Sequence, residues 1–302
     1  MKNFFIITNK QKDKDLQVTH RVETYLKERG CTYLTQVEGA VPLKKEPRPD
    51  EQGTGNHPSG VAKSYTNPAD IPANVECIMV LGGDGTLLQA ANDTIRRDIP
   101  LIGVNLGTLG YLTEVEQSNL EQSLDAIISG DGKVVKRMLL EGCVMRDGVK
   151  IASAQAVNDI VLVRSGSLCI LHFNIYVNDL FLKGYHADGI IISTPMGSTG
   201  YNMSAGGPIV EPKANLMVLT PICPHTFNSR SIILAPEDVV TVEIPEGHDG
   251  RPQKMEVCYD GNHKVRLITG DRIQIKQSEN TLKILKLNKV SFLEILHRKM
   301  NE

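Results

Sequence analysis

The feature that most constrains this sequence is an apolar run that passes through a glycine turn into a helical pattern. The apolar run is Cys77 to Val80, the turn is Leu81-Gly82-Gly83-Asp84-Gly85-Thr86, and the helical pattern covers Leu87 to Ile95. A strand that feeds a helix in this way leaves unpaired backbone N–H groups at the start of the helix, where anions bind well. The sequence therefore predicts a phosphate-binding loop.

The spacing of this turn excludes two common phosphate-binding motifs. A Walker loop needs Gly-Lys-Ser/Thr, whereas Thr86 follows Gly85, and the dinucleotide fingerprint needs glycine where Leu88 stands. A carboxylate at the centre of such a turn repels phosphate, so Asp84 should either take a proton from an attacking hydroxyl or hold a magnesium ion. The alternative is a simple tight turn, because Asp and Gly favour turns for conformational reasons.

Composition bounds the class of protein. The 302 residues contain no long apolar run, and this predicts a soluble globular protein large enough for two cores or for one large domain. A net charge of −2 provides no basic field for nucleic acid, so a nucleic-acid partner is not expected. The sequence shows no basic amphipathic helix, so a membrane partner is not expected either. Six cysteines without Cys-x-x-Cys spacing favour reduced thiols in a cytoplasm. Cys223 and His225 lack a third nearby ligand, so no structural metal is expected.

The N-terminal part alternates strands and helices. Strands are predicted at Phe4 to Thr8, Cys31 to Val37 and Pro100 to Asn105, and the last of these also ends in a glycine-rich loop. Glycine turns after successive strands are typical of a doubly wound α/β fold, which binds ligands beyond the carboxyl ends of its strands. We therefore expect both loops to face one cleft. Residues 39–74, which come just before the strand of the first glycine loop, are rich in Pro, Gly and polar residues, and this favours a long mobile flap over disordered filler.

From about Val134 the pattern changes to short apolar runs separated by turn dipeptides such as Asn158-Asp159 and Asp260-Gly261. These runs predict an antiparallel β domain. The expected fold is therefore a Rossmann-like N-terminal α/β domain at 1–133, followed by a β-sandwich-like domain at 134–275. The remaining segment, 276–302, is predicted to contain a strand at Leu282 to Leu287 and a terminal helix at Phe292 to Met300, and it could return to the first domain.

A second informative stretch lies inside the β domain, from Thr194 to Pro208. It collects hydroxyls and glycines that allow a ligand to approach closely, and Tyr201 provides a flat ring for a base. This stretch is typical of a nucleoside site. It has no nucleophilic serine motif. The alternative is a glycine-rich crossover with an ordinary core tyrosine.

Taken together, these stretches resemble the NAD kinases. The Gly-Gly-Asp-Gly-Thr motif also recurs in diacylglycerol and sphingosine kinases and in 6-phosphofructokinases, but only NAD kinases are similar over roughly residues 76 to 270. The other matching segments are Gly103 to Thr113, Asn158-Asp159, Asp188 to Tyr201, Ser204 to Pro208 and Leu219 to His225.

The resemblance implies transfer of a phosphoryl group from ATP to the 2′-hydroxyl of the adenosine ribose of NAD, which gives NADP. By position, Asp84 resembles the general base. A divalent cation, Mg²⁺ or another, would bridge the phosphates. The residues whose backbone would hold phosphates are Gly82, Gly83, Gly85 and Thr86.

The resemblance also implies the residues that bind NAD. Asn158 and Asp159 match an Asn-acidic pair at the adenosine and ribose hydroxyls. The residues expected at the adenine are Thr199 and Tyr201, with Leu109 and Tyr111 lining the same pocket. Further matched positions are Asn105, Gly200, Ser204 and His225.

Two matched residues bear on assembly and on specificity. Asp188 matches a carboxylate that reaches the nicotinamide-side ribose and that comes from a neighbouring subunit in relatives, so the resemblance implies a homo-oligomer, either dimer or tetramer. His186 lies at a position that influences the choice between NAD and NADH, and histidine leaves that choice open.

Two other classes of function remain open at this point. A lipid kinase shares the first motif but would need a route to a membrane. A non-catalytic dinucleotide sensor would bind NAD without turnover. The phosphoryl donor is also open, since the sequence gives no signature that separates ATP from another nucleotide or from polyphosphate.

Overall fold

A computed structural model describes residues 1–37, 66–107, 110–165, 170–226, 229–247, 250–287 and 291–301. The described residues form two compact units. The first unit contains those up to 137 together with those from 280 onward, and the second contains those from 138 to 279. Most of the predicted flap, 39–65, and Leu109 lie outside the described residues. The described end of the flap includes a short 3₁₀ turn at Pro68–Asp70.

The elements are numbered in chain order. The helices are α1 (Gln17–Glu28), α2 (Asp84–Thr94), α3 (Leu120–Ser129), α4 (Tyr201–Ser204) and α5 (Phe292–Met300). The strands in the first half of the chain are β1 (Asn3–Thr8), β2 (Thr32–Val37), β3 (Cys77–Gly82), β4 (Leu101–Asn105), β5 (Val115–Glu116), β6 (Lys133–Arg146) and β7 (Val149–Ala156). The remaining strands are β8 (Asp159–Arg164), β9 (Leu171–Val177), β10 (Leu180–Ala187), β11 (Gly189–Ser193), β12 (Met217–Ile222), β13 (Ile232–Leu234), β14 (Val240–Glu243), β15 (Lys254–Tyr259), β16 (His263–Ile268) and β17 (Arg272–Lys286).

The first unit is built on parallel strands in the order β17, β4, β3, β1, β2, with β5 beside β4. Every residue of β3 is buried, as expected for a parallel strand covered on both faces. The helix α1 buries Val22 and Leu26, and α3 buries Leu124 and Ile127. This arrangement confirms the predicted Rossmann-like α/β fold.

The second unit is a β-sandwich. One sheet is antiparallel in the order β13, β12, β11, β8, β15, β16, and the other contains β10, β9, β14 and the first half of β17, with β6 and β7. Buried side chains from both sheets form one core, including Phe173 and Ile175 from β9 and Ile190 and Ile192 from β11. The predicted β-sandwich-like domain is therefore confirmed.

The strand predicted at Leu282 to Leu287 is the second half of β17, a strand of 15 residues. The first half pairs with β14, and Ile284 in the second half lies opposite Leu101 of β4. The polar residues around Ser278 look like a break between two strands in the sequence. In the structure Ser278 is buried within the strand and accepts a hydrogen bond from Gln155 at 2.5 Å. Among the described helices, none has the length and apolar character needed to cross a membrane.

Candidate functional site

The predicted phosphate-binding turn lies between β3 and α2. The strand ends at Gly82, the helix begins at Asp84, and Gly83 is extended just before the helix. A Cβ atom at Gly82 would lie 2.6 Å from Cβ of Thr86, so this tight path requires glycine. The N–H of Thr86 donates to the carbonyl of Gly83 at 3.0 Å, whereas the N–H groups of Asp84 and Gly85 make no hydrogen bond within the described chain. This end of the helix is therefore suited to an anion.

The carboxylate of Asp84 joins the two glycine-rich loops of the first unit. Its Oδ2 accepts a hydrogen bond from the N–H of Tyr111 at 2.7 Å, and its Oδ1 accepts from Leu112 at 3.1 Å and Thr113 at 3.3 Å. A Cβ atom on Gly110 would overlap this carboxylate, which explains the glycine at that position. These hydrogen bonds bring the two loops into contact at Asp84.

The same geometry leaves Asp84 able to act on a ligand. Each carboxylate oxygen can accept about two hydrogen bonds, and Oδ2 accepts one from the described chain. Asp84 is also only half-buried. A substrate hydroxyl can therefore donate to Oδ2 while the loop at 111–113 stays in place.

Two further predicted residues of the first unit have structural contacts. The Oδ1 of buried Asn105 accepts a hydrogen bond from the N–H of Gly107 at 3.0 Å. The ring of Tyr111 lies 5.9 Å from the ring of Phe292, and the ammonium of Lys299 lies 5.0 Å from the Tyr111 ring. Helix α5 thus packs on the residue whose N–H holds Asp84.

In the second unit, the turn that carries Asn158 and Asp159 is held by Asp260. The Asp260 carboxylate accepts hydrogen bonds from the N–H groups of Val157 and Asn158 at 2.7 Å each and of Asp159 at 3.0 Å. The sequence interpretation treated Asp260 only as part of a turn. Its positive φ of 48° fits that interpretation, but no local signal indicates partners about one hundred residues away.

The side-chain acceptors of Asn158 and Asp159 have no donor among the described residues. Asp159 is 6% exposed, and its carboxyl accepts no hydrogen bond from the part of the chain that the structure describes. Burial raises the pKa of Asp159 to about 7, and the charge of Asp260 acts in the same direction. The Oδ1 of Asn158 is likewise buried without a partner among the described residues. Buried acceptors without donors are rare, so these two atoms are suited to hydroxyl or amino groups of a ligand.

The glycine-rich stretch from Thr194 lies against this turn. A Cβ atom on Gly197 would overlap the backbone carbonyl of Asn158, and one on Gly200 would lie 3.9 Å from Nδ2 of Asn158. Thr199 is half-buried beside them. The predicted residues Asn158, Thr199 and Gly200 are therefore neighbours, and glycine is what permits the close approach.

Tyr201 follows Gly200 directly and is the first residue of α4. Its side chain is 45% exposed, so one face is free to contact a base. Burial raises the pKa of the Tyr201 phenol above its ordinary value, and the charges of Asp159 and Asp188 act in the same direction.

The remaining predicted residues lie near the end of β10. Asp188 forms an ion pair with Arg164 at 2.8 Å, a partner that the sequence interpretation missed. The ring of His186 stacks on His172 with ring centroids 4.4 Å apart. The carbonyl of His186 accepts the N–H of His225 at 2.8 Å.

Ser204 and His225 are both exposed. Within the described ranges, no group of three or more His, Cys, Asp or Glu side chains is arranged to hold a metal ion.

These observations define a class. An anion-binding helix terminus with a central carboxylate is suited to phosphoryl transfer, and the acceptor-rich turn beside an exposed tyrosine is suited to a nucleoside. The chain thus has the fold and the site of a nucleotide-dependent phosphotransferase.

Comparisons with known proteins identify the family. The family model described as the ATP-NAD kinase N-terminal domain matches residues 4–132, and the one described as the ATP-NAD kinase C-terminal domain matches residues 157–287. An NAD kinase from Lachnospira eligens is 41% identical over 309 residues, which cover 99% of this chain and 100% of that protein. The chain belongs to the NAD kinase family.

Two solved structures have a similar fold. Yeast NADH kinase in complex with NADH matches with a TM-score of 0.77 and 24% identity, over 100% of this chain and 87% of that one. An NAD kinase from Archaeoglobus fulgidus in complex with ATP matches with a TM-score of 0.73 and 23% identity, over 99% and 98%. The relatives are NAD kinases and not lipid kinases, so the lipid kinase alternative is not supported.

Proposed function

We propose that this chain transfers the γ-phosphoryl group of ATP to the 2′-hydroxyl of the adenosine ribose of NAD and so makes NADP. The observation that carries the proposal is Asp84, a carboxylate at the N-terminal end of helix α2 with acceptor capacity left for a hydroxyl. Membership of the NAD kinase family supplies the substrates.

In the first unit, Asp84 takes the proton from the attacking hydroxyl. General base catalysis needs the base within hydrogen-bond reach of that proton, and the N–H groups at 111–113 fix the direction of the carboxylate. The backbone of the surrounding turn holds the donor phosphates. Phosphoryl transfer needs little more from the protein than positioning and charge stabilisation.

In the second unit, Asn158 and Asp159 bind hydroxyls of NAD, and Tyr201 stacks on the adenine. The unsatisfied Oδ1 of Asn158 and the buried carboxyl of Asp159 support this assignment. Asp188 would bind the nicotinamide-side ribose, and it would have to exchange its ion pair with Arg164 for that contact.

A divalent cation fits this chemistry as part of the donor. Mg²⁺ is usually held by substrate phosphates, water and one or two carboxylates rather than by a protein cage. The described residues around the turn provide a carboxylate and N–H groups, which fits a cation that arrives bound to ATP. Its contribution would be to neutralise charge on the phosphates.

The proposal is tested by supplying the purified protein with MgATP and one acceptor at a time. We expect NADP from NAD, measured with an NADP-specific dehydrogenase, and no consumption of ATP with diacylglycerol vesicles. NADH in a parallel reaction measures the preference that His186 leaves open, and polyphosphate in place of ATP measures the donor range. NAD binding without consumption of ATP would instead identify a dinucleotide sensor.

We also infer a homo-oligomer from the family resemblance and a cytoplasmic location from the cysteines without Cys-x-x-Cys spacing. Light scattering after size-exclusion chromatography would measure the number of subunits. A monomer with full activity would contradict the inference that Asp188 acts from a neighbouring subunit.

A further inference from the structure

The segment that follows β1 has no role in the function proposed above, yet it lies beside the phosphate-binding turn. Strands β1 and β3 are parallel neighbours, with Thr8 opposite Leu81, and the N–H of Asn9 extends the pairing to the carbonyl of Leu81 at 2.9 Å. The carboxyl ends of adjacent parallel strands lie at the same edge of a sheet. The residues after Thr8 are therefore next to Gly82 and Gly83.

Asn9 fixes this segment in one conformation. Its Oδ1 accepts hydrogen bonds from the N–H groups of Gln11 at 3.0 Å and Lys12 at 3.2 Å, and its Nδ2 donates to Oγ1 of Thr86 at 2.9 Å. Asp13, the residue after Lys12, is buried and accepts hydrogen bonds from backbone N–H groups at the start of α1. The position of Lys12 relative to the turn is thus set from both sides.

The side chain of Lys12 reaches over the turn itself. Its Nζ lies where it would be 2.5 Å from a Cβ atom on Gly83, so the ammonium contacts the α-carbon side of that glycine. Within the described chain, Lys12 Nζ makes no hydrogen bond and no ion pair. The nearest acidic residue in sequence, Asp13, uses its carboxylate on α1.

A cation held over an anion-binding helix terminus is suited to the phosphate chain of the donor. Lysine binds phosphates as a point charge, and here the missing side chain of Gly83 leaves the space that its ammonium needs. We propose that Lys12 binds the phosphate chain of the phosphoryl donor, with Asn9 as the residue that positions it. This inference rests on the proposed function, since it names a further residue of the same site.

The test compares Lys12→Met with Lys12→Arg and with Lys10→Met. Methionine keeps the apolar stem and removes the charge, arginine keeps the charge, and Lys10 is an exposed lysine of the same segment. We expect Lys12→Met to raise the KM for MgATP about 10- to 100-fold, the usual loss for a charged hydrogen bond. The KM for NAD, which also carries phosphates, should not change. Lys12→Arg should recover most of the loss, and Lys10→Met should match wild type.

A second measurement does not depend on turnover. Titration calorimetry with the non-hydrolysable analogue adenosine 5′-(β,γ-imido)triphosphate should show weaker binding to Lys12→Met by a similar factor. Equal affinity in wild type and Lys12→Met would overturn the inference, and so would an equal rise in the KM values for ATP and NAD. A wild-type protein that binds the analogue through Lys12 but makes no NADP would contradict the proposed function and leave this inference standing.

Discussion

The loop at 111–113 in the first unit and the turn at 157–159 in the second are held in the same way and used differently. Each offers three consecutive backbone N–H groups to one carboxylate, Asp84 in the first case and Asp260 in the second. Asp84 is itself the candidate base. Asp260 supports the turn, and the candidate ligand-binding carboxyl is Asp159. Chemistry and positioning are therefore combined in one residue of the first unit and divided between two in the second.

The environments of the two candidate carboxyls differ because backbone N–H groups donate to Asp84 itself but, in the second unit, to Asp260 instead of Asp159. Asp84 is half-buried and accepts three N–H groups, whereas Asp159 is buried and its neighbour Asp260 takes the available donors. Desolvation without compensating donors is what raises the pKa of Asp159 to about 7. A carboxyl of this kind is suited to exchange its proton for hydroxyl donors of a ligand.

The largest effect is expected for Asp84→Asn. Asparagine keeps the shape but cannot take a proton, so kcat should fall about 100- to 10,000-fold, the usual contribution of a general base. The affinity for NAD, measured by calorimetry, should remain close to wild type. Loss of NAD affinity without loss of kcat would contradict the assignment of Asp84 as base.

The comparison is sharpened by Asp260→Gly, since this change should weaken the binding of NAD and leave the binding of MgATP unchanged. Glycine accepts the φ of 48° at this position, so the variant removes the carboxylate without backbone strain. Three N–H groups then lose their acceptor, and we expect a loss of about 3 kcal/mol in the free energy of unfolding. The KM for NAD should rise while the KM for MgATP stays constant.

A matched control for this variant is Asp147→Gly. Asp147 has a φ of 51° and also precedes a glycine in a hairpin turn, but it lies outside the site. Both KM values should match wild type in this control. If the control loses as much stability as Asp260→Gly, the hydrogen bonds to 157–159 are not the cause.

The pH dependence of Asp159 provides a smaller effect. The ordinary pKa of 3.8 rises to about 7 in the folded protein, so between these values the folded state keeps a proton that the unfolded chain releases. The free energy of unfolding contributed by this group therefore falls as pH rises. Asp159→Asn removes this dependence. The difference in free energy of unfolding between the variant and wild type should therefore shift in favour of the variant between pH 5 and pH 8, by on the order of 2 kcal/mol.

The same residue should make NAD binding pH-dependent. The ionised carboxylate is the better acceptor for ribose hydroxyls, so the KM for NAD in wild type should fall as pH rises through about 7. Denaturant titrations at pH 5 and pH 8, together with KM values over the same range, measure both effects. A KM profile that is unchanged in Asp159→Asn would remove Asp159 from the NAD site.

The smallest effect is expected at the start of α5. Ser291 and Glu294 form a capping box, with the N–H of Ser291 bonded to the Glu294 carboxylate at 2.6 Å. Ser291→Ala should cost about 1 kcal/mol in the stability of this helix. Because α5 packs on Tyr111, hydrogen exchange should increase at the amides of 111–113. The amides of 157–159 should exchange as in wild type.

The sequence by itself determined the parts that depend on local order. The glycine turn, the carboxylate at its centre and the strand-to-helix transition are encoded within ten residues, and the spacing of the other motifs along the chain was enough to indicate the family. The α5 boundaries, Phe292 to Met300, also followed from local pattern and are those of the structure.

Only the tertiary structure decided which groups support the candidate site. The three N–H groups on Asp84, the support of 157–159 by Asp260 and the ion pair of Asp188 with Arg164 join residues that are 24 to 103 positions apart in sequence. Such partners meet because strand pairing and sheet packing bring distant turns together, and no helical or alternating period in the chain records that meeting. Lys12, and the Oδ1 of Asn158 that has no donor within the described ranges, became recognisable for the same reason.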